Sequence, residues 1–230
     1  MLADTLSETL QRLENAANAA HRPMPRLLAV SKLKPAAAIA ELAAAGQRAF
    51  GENYVQEAQG KIAGLADLGL EWHLIGHLQS NKADVAARTF DWVQTVDRHK
   101  LIGALSRNRP AERPPLNVLI QVNIDDEASK HGCRPEDVDA LADAIAAEPR
   151  LALRGLMAIP APHPDPALRA AAFDRMKALF DRAAARHPGM DTLSMGMSED
   201  YALAIAHGAT MVRIGTALFG ARSAPHGAAT

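Results

Sequence analysis

The chain has 230 residues, enough to bury the core of one domain or of two small ones. Apolar residues make up 48%, charged residues 22%, and the net charge is -1 with no basic cluster, so a nucleic-acid-binding surface is not expected. The single cysteine, Cys133, allows no internal disulfide, and neither a signal peptide nor an apolar run of about 18 residues is present, so we expect a cytoplasmic protein without a membrane span.

The first half of the chain alternates short apolar runs with alanine-rich helical stretches. Leucines at positions 6, 10 and 13 recur at helical spacing and predict a helix within residues 1–21. After this helix the pattern predicts four strands, and a helix follows each of them. The strands are 26–31, 47–51, 71–76 and 91–96, and the helices are 35–46, 53–64, 80–88 and 99–107.

The second half continues the alternation. Two proline-rich stretches, 108–115 and 160–166, predict loops. Four further strands are predicted at 117–123, 151–159, 192–195 and 211–214, with helices at 135–147, 167–186 and 199–207. The small-residue tail, 223–230, is expected to be disordered.

Eight strands that alternate with helices in so short a chain predict a single closed parallel barrel, the (β/α)8 or TIM barrel, over residues 1–222. The extra helix precedes the first strand. The alternative is an open doubly wound sheet. A dinucleotide-binding sheet of that kind would favour a GxGxxG turn after an early strand, and the sequence contains none.

Polar residues follow several predicted strands, and in such a barrel the chemistry lies at the carboxyl ends of the strands. Lys32 comes directly after the apolar run 27–30. An amine held there would be partly desolvated, which favours the neutral, nucleophilic form that Schiff-base formation requires. The competing interpretation is a lysine that extends from a strand end into water, and position alone favours it.

A second candidate site lies after the last two strands. Gly215 permits close approach of the backbone, and the segment that follows it can open a short helix. The N–H groups of Gly215 and Thr216, together with the hydroxyls of Thr216 and Ser198, can then bind a phosphate. A glycine turn with capping serine and threonine explains the same residues equally well.

His73 lies in the third predicted strand beside Trp72, and alternation turns one of the two side chains into the barrel. His73 is therefore a candidate ligand contact, although a hydrogen-bonded core histidine is at least as good an interpretation. The remaining histidines lack metal-ligand spacing, and the acidic run 125–127 is better explained as a solvated loop. We therefore expect no metal site.

Taken together, these residues resemble the family of pyridoxal phosphate homeostasis proteins, of the YggS or PROSC type. The resemblance covers almost the whole chain and is carried by six long segments. They are 27–35 (LLAVSKLKP), 50–57 (FGENYVQE), 72–82 (WHLIGHLQSNK), 155–160 (GLMAIP), 194–200 (SMGMSED) and 211–220 (MVRIGTALFG).

The resemblance implies a fold-type III barrel like the N-terminal domain of alanine racemase, with pyridoxal 5'-phosphate (PLP) bound to Lys32 as a Schiff base. It also implies that Arg213 faces the pyridine nitrogen and that Asn53 lies beside the ring. The implied phosphate ligands are Ser198, Gly215 and Thr216. A cation beside the ring nitrogen opposes its protonation, so the ring becomes a weaker electron sink.

The sequence departs from full racemases, which add a C-terminal β domain that supplies a catalytic tyrosine across a dimer interface. Only Tyr54 and Tyr201 occur in this chain, which ends shortly after the eighth strand, and neither tyrosine belongs to such a domain. The resemblance therefore implies a monomeric carrier and regulator of PLP, the active form of vitamin B6, whose partners are apo-enzymes and amino acids.

Two alternatives stay open. One is a minimal amino-acid racemase with His73 as a second acid/base group, and the other is a Schiff-base aldolase that uses Lys32 on a sugar phosphate.

Overall fold

The computed structural model describes residues 1–127 and 130–220, so the tail at 223–230 lies outside it. Within these ranges eight parallel strands close into a barrel in chain order, and β8 pairs with β1. The barrel prediction is confirmed, and the open sheet is wrong. The strands are β1 Arg26–Val30, β2 Ala49–Glu52, β3 Glu71–Leu74, β4 Trp92–Val96, β5 Leu116–Val122, β6 Leu151–Ala158, β7 Thr192–Met197 and β8 Met211–Ile214.

A ring of helices surrounds the strands, as the alanine-rich stretches predicted. They are α1 Leu2–Ala19, α2 Ala36–Ala44, α3 Val55–Gly64, α4 Ala83–Thr89, α5 His99–Asn108, α6 Val138–Ala146, α7 Pro166–Arg186, α8 Tyr201–Ala206 and α9 Thr216–Phe219. Among residues 1–127 and 130–220, no helix combines the length and the apolar composition that a membrane span requires.

The N-terminal helix α1 packs on α2, α8 and α9 and closes the ring beside the junction of β8 and β1. Its buried stripe runs through Leu6, Thr9, Leu13 and Ala17, which recur every three to four residues. Leu10, which belonged to the predicted stripe, is partly exposed. The helix prediction is confirmed, and its buried face is rotated slightly from the one that the leucines indicated.

Side chains fill the space on both sides of the strands because alternate strand residues face opposite sides of the sheet. Between strands and helices the layer is apolar, and it contains Phe50, Phe90 and Phe173. Inside the barrel, apolar side chains such as Leu28 and Met211 share the space with fully buried polar groups. These buried polar groups distinguish the barrel interior from a purely hydrophobic core.

Candidate functional site

The carboxyl ends of four neighbouring strands bring the predicted site residues onto one arc of the barrel mouth. β1 lies between β2 and β8, and β7 lies next to β8. Lys32, Asn53, Ser198 and Thr216 follow these strands, and none of the four side chains makes a hydrogen bond to any residue that the structure describes. Because unpaired polar groups at a barrel mouth are available to a ligand, this arc is the candidate site.

Lys32 is exposed, so the expected desolvation of its amine is wrong for this structure. The physical reason is the end of β1, which stops at Val30, two residues earlier. Lys32 therefore lies in the turn above the rim and not in the strand. Leu33, which follows it, has a φ of 61°, in the left-handed region that a leucine seldom occupies.

A lysine and a glutamate of α3 fix the turn that carries Lys32. The Lys61 ammonium donates to the carbonyl oxygen of Ser31 (2.8 Å) and to Glu57 Oε1 (2.6 Å). The same Glu57 oxygen accepts the backbone N–H of Leu33 (2.6 Å). Both neighbours of Lys32 are thus bonded to one ion pair, which stabilises the left-handed turn. The Lys32 amine itself has no hydrogen-bond partner among residues 1–127 and 130–220.

Glu52 completes this arrangement, and we call Ser31, Glu52, Glu57 and Lys61 the Lys61 cluster. Glu52 Oε1 accepts from the Ser31 hydroxyl (2.5 Å) and from the Lys61 ammonium (2.9 Å), and its side chain is fully buried. Burial raises the pKa of Glu52, and the bonds from Ser31 and Lys61 oppose that rise. The sequence reasoning missed these residues, although Glu57 and Lys61 have the four-residue spacing of a helical ion pair.

Arg213 lies in β8 and is almost completely buried inside the barrel. Its Nη1 donates to the carbonyl oxygen (2.9 Å) and the hydroxyl oxygen (2.8 Å) of Ser194, and its Nη2 donates to the carbonyl oxygen of Ala158 (2.8 Å). No carboxylate of the described ranges forms a salt bridge with it. Burial lowers the pKa of Arg213 to about 10, so the group remains a cation at neutral pH.

His73 does not join the mouth. The ring is fully buried in the barrel and stacks on Trp92 with 5.0 Å between ring centroids. Its Nδ1 lies 2.9 Å from Gln94 Nε2 and its Nε2 lies 2.5 Å from Glu71 Oε1. Since both ring nitrogens are engaged, His73 has none to offer a ligand, and the interpretation as a hydrogen-bonded core histidine describes it better.

Two glycines set the spacing of the mouth. A Cβ on Gly76, after β3, would lie 2.1 Å from the carbonyl oxygen of Asn53, so only glycine lets the two segments approach this closely. A Cβ on Gly215 would lie 3.3 Å from that of Val30. The segment after Gly215 opens the short helix α9, as predicted, with Thr216 exposed as its first residue.

Histidine, cysteine and acidic side chains are the protein groups that bind metal ions. In the part of the chain that the structure describes, no group of three or more of them could hold a metal ion. His77 and His131 stack at the mouth with 3.8 Å between ring centroids, and they lack a third ligand among these residues.

Known proteins resemble this chain over nearly all of its length. The family model of the alanine racemase N-terminal domain matches residues 4–223. The pyridoxal phosphate homeostasis protein of Pseudomonas aeruginosa is 56% identical over 223 residues, covering 96% of each chain. The protein of the same name from Escherichia coli K12 is 52% identical over 226 residues, covering 96% of this chain and 97% of the other.

Solved structures agree with the sequence matches. PipY of Synechococcus elongatus PCC7942, solved with PLP bound, superposes with a TM-score of 0.83 at 38% identity and covers 96% of this chain and 100% of its own. Alanine racemase from Corynebacterium glutamicum superposes with a TM-score of 0.65 at 19% identity, and this chain covers 62% of it. The second match shows the shared barrel fold alone.

Proposed function

Because the chain belongs to the alanine racemase N-terminal domain family, among the pyridoxal phosphate homeostasis proteins, we propose that it binds PLP and takes part in the homeostasis of that cofactor. The observation that carries the proposal is a pair of groups on neighbouring segments, Lys32 in the turn after β1 and Arg213 within β8. Within the part of the chain that the structure describes, Lys32 offers an amine without a hydrogen-bond partner on a fixed backbone, and Arg213 supplies a buried cation without a carboxylate partner. β1 and β8 are paired beneath them, with Leu28 opposite Arg213.

The donor set at the mouth fits the three functional parts of PLP. An amine is needed for the aldehyde, and Lys32 is proposed to form the Schiff base. Hydroxyl and N–H donors are needed for the phosphate, and Ser198, Gly215 and Thr216 are proposed to bind it. Asn53, whose backbone is fixed by the close approach of Gly76, is proposed to lie beside the ring.

Arg213 is proposed to face the pyridine nitrogen. PLP supplies an electron-accepting ring when bound, and a protonated ring nitrogen is what makes that ring a strong electron sink. Since Arg213 stays cationic at neutral pH, with a pKa of about 10, it opposes protonation of the neighbouring nitrogen. The side chain therefore binds the ring and at the same time limits its catalytic power.

We infer a carrier and not an efficient enzyme. Racemisation requires a proton donor and a proton acceptor on opposite faces of the substrate, and His73, the candidate second group, is buried with both nitrogens engaged. The homologues are named as homeostasis proteins. We propose that this protein acts as a monomer in the cytoplasm and transfers PLP to apo-enzymes or to amines.

The test is a spectroscopic titration of the purified protein with PLP. A visible absorbance band that fails to form in Lys32→Ala, yet forms in Lys100→Ala, supports the proposal, since Lys100 is another exposed lysine near a strand end. No band in the unaltered protein would refute it.

A chiral assay over a panel of amino acids tests the carrier role, which requires turnover no faster than that of free PLP.

A further inference from the structure

A chain of buried polar side chains extends from Arg213 across the interior of the barrel. The hydroxyl of Ser194 donates to Gln94 Oε1 (2.8 Å), and Gln94 Nε2 meets His73 Nδ1 (2.9 Å). His73 Nε2 in turn contacts Glu71 Oε1. Ser194, Gln94 and His73 are each 0% exposed. We call these three residues the interior relay.

The interior relay has a fixed direction because each member can donate or accept at only certain atoms. Arg213 only donates, so the Ser194 oxygen accepts from it and the hydroxyl hydrogen points to the carbonyl oxygen of Gln94. The amide nitrogen of Gln94 then donates to His73 Nδ1. The ring hydrogen of His73 therefore lies on Nε2.

The reverse orientation of the Gln94 amide is excluded by what it would require of its neighbours. Ser194 would accept from both Arg213 and Gln94, and its hydroxyl hydrogen would have no acceptor among the residues that the structure describes. His73 would carry a hydrogen on Nδ1. It would then turn an unprotonated Nε2 toward the Glu71 carboxylate or become a buried cation, and burial is the main cause that lowers the pKa of His73.

We propose that the interior relay positions Arg213, so that Ser194, Gln94 and His73 determine how its guanidinium meets the pyridine nitrogen of PLP. This inference rests on the proposed function. The bonds to Ser194 and Ala158 fix the plane of the guanidinium and leave the Nε–H, and one hydrogen on Nη2, without an acceptor among residues 1–127 and 130–220. Those two donors are the ones that a ligand above the barrel can use.

His73, the member of the interior relay farthest from Arg213, contacts charged groups at the amino ends of the strands. Glu71 accepts from Arg26 (2.8 Å) as well as from His73, and these bonds hold the pKa of Glu71 below its ordinary value against the effect of its burial. Asp91 is the other charged group that acts on His73. Glu71 thus remains an acceptor at neutral pH and keeps the His73 hydrogen on Nε2.

The first experiment needs neither PLP nor a variant with altered stability. Long-range proton–nitrogen NMR of the labelled protein at neutral pH reports which ring nitrogen of each histidine is protonated. The inference requires a neutral His73 with its hydrogen on Nε2. A hydrogen on Nδ1, or a doubly protonated ring, would reverse the direction of the interior relay and overturn the inference.

The second experiment measures the effect on bound PLP. Ser194→Ala and Gln94→Leu each remove a link, and Gln121→Leu is the matched control because Gln121 is also buried and bonds only to the His131 carbonyl among the described residues. We expect the two relay variants to weaken PLP binding about threefold to tenfold. We also expect them to move the pH midpoint of the Schiff-base absorbance by about one unit. The control should retain both values.

Each outcome separates this inference from the proposed function. A Lys32-dependent band whose affinity and midpoint are unchanged in both relay variants would refute the positioning role and leave PLP binding intact. Equal changes in Gln121→Leu would also refute it, since the effect would then belong to any buried glutamine. If no band forms in the unaltered protein, the proposed function fails, whatever the NMR result.

Discussion

Two buried polar networks lie behind the two groups that the proposed function depends on, and they are built differently. The Lys61 cluster, behind Lys32, places one ammonium against two carboxylates within a space bounded by β1, β2 and α3. The interior relay, behind Arg213, consists of a hydroxyl, an amide and an imidazole. The difference follows from what each network must hold: the cluster fixes a backbone turn, while the relay fixes a charged side chain.

An ion pair suits the first task because several charge-assisted bonds converge on a turn with a left-handed leucine. It would not suit the second. A carboxylate beside Arg213 would neutralise the cation that is proposed to face the ring. Ser194 and Ala158 instead accept three of its five N–H groups with dipoles and leave its charge in place.

Lys61→Met should produce the largest loss of stability. It leaves two carboxylates without their ammonium, and breaking a buried ion pair costs about 3–5 kcal/mol of unfolding free energy. Lys177→Met is the matched control, because Lys177 forms a similarly spaced pair with Asp181 at the surface, where we expect a change within about 0.5 kcal/mol. Denaturant unfolding measures both, and equal losses would contradict the ionic role of the cluster.

Ser194→Ala should cost less, about 1–3 kcal/mol, because it deprives Arg213 and Gln94 of hydrogen-bond partners in the barrel interior. Ser106→Ala provides the comparison. Its hydroxyl bonds to Glu148, which is half-buried, so water can replace the lost bond. The same unfolding measurement should show the larger loss in Ser194→Ala, and a larger loss in Ser106→Ala would argue against the interior relay.

The two networks should respond to pH with opposite signs. The pKa of Glu52 is raised above 4.5, so its contribution to stability is full below pH 4.5 and is lost as pH rises through the folded-state pKa. The pKa of His73 is lowered below 6.5, so its contribution is full above pH 6.5 and is lost as pH falls.

These signs are tested by Glu52→Gln and His73→Phe in unfolding measurements from pH 4 to pH 8. Relative to the unaltered protein, Glu52→Gln should gain stability as pH rises above 4.5, and His73→Phe should gain as pH falls below 6.5. Slopes of the same sign in both variants would show that the two networks do not differ electrostatically.

Gly60→Ala should have the smallest effect and a favourable one. Gly60 lies in α3 one residue before Lys61, and a Cβ there would meet nothing within 4 Å. Alanine should therefore raise the unfolding free energy by about 0.5–1 kcal/mol through the lower entropy of the unfolded chain. A loss of stability would mean that α3 is fixed by packing at this face as well as by the Lys61 cluster.

The strands and the mouth could be predicted because apolar runs and the polar residues after them are local features of the sequence. The supporting networks could not. Ser194 and Gln94 are 100 residues apart, so no local spacing indicates that they meet inside the barrel. For Lys32 the local pattern was misleading. It follows an apolar run and was expected to be desolvated, but β1 ends two residues before it and leaves it exposed. Closure of the barrel brings Ser194 to Gln94, and the exact end of β1 determines the exposure of Lys32.

Borohydride reduction of the PLP-loaded protein, followed by mass-spectrometric mapping of the modified peptide, tests directly whether Lys32 binds PLP as a Schiff base. We expect a single phosphopyridoxyl adduct, on Lys32, because its amine has no hydrogen-bond partner among the described residues, while the amine of Lys61 is held by three acceptors. An adduct on Lys61 or on another lysine, or no adduct at all, would contradict the proposed Schiff base at Lys32.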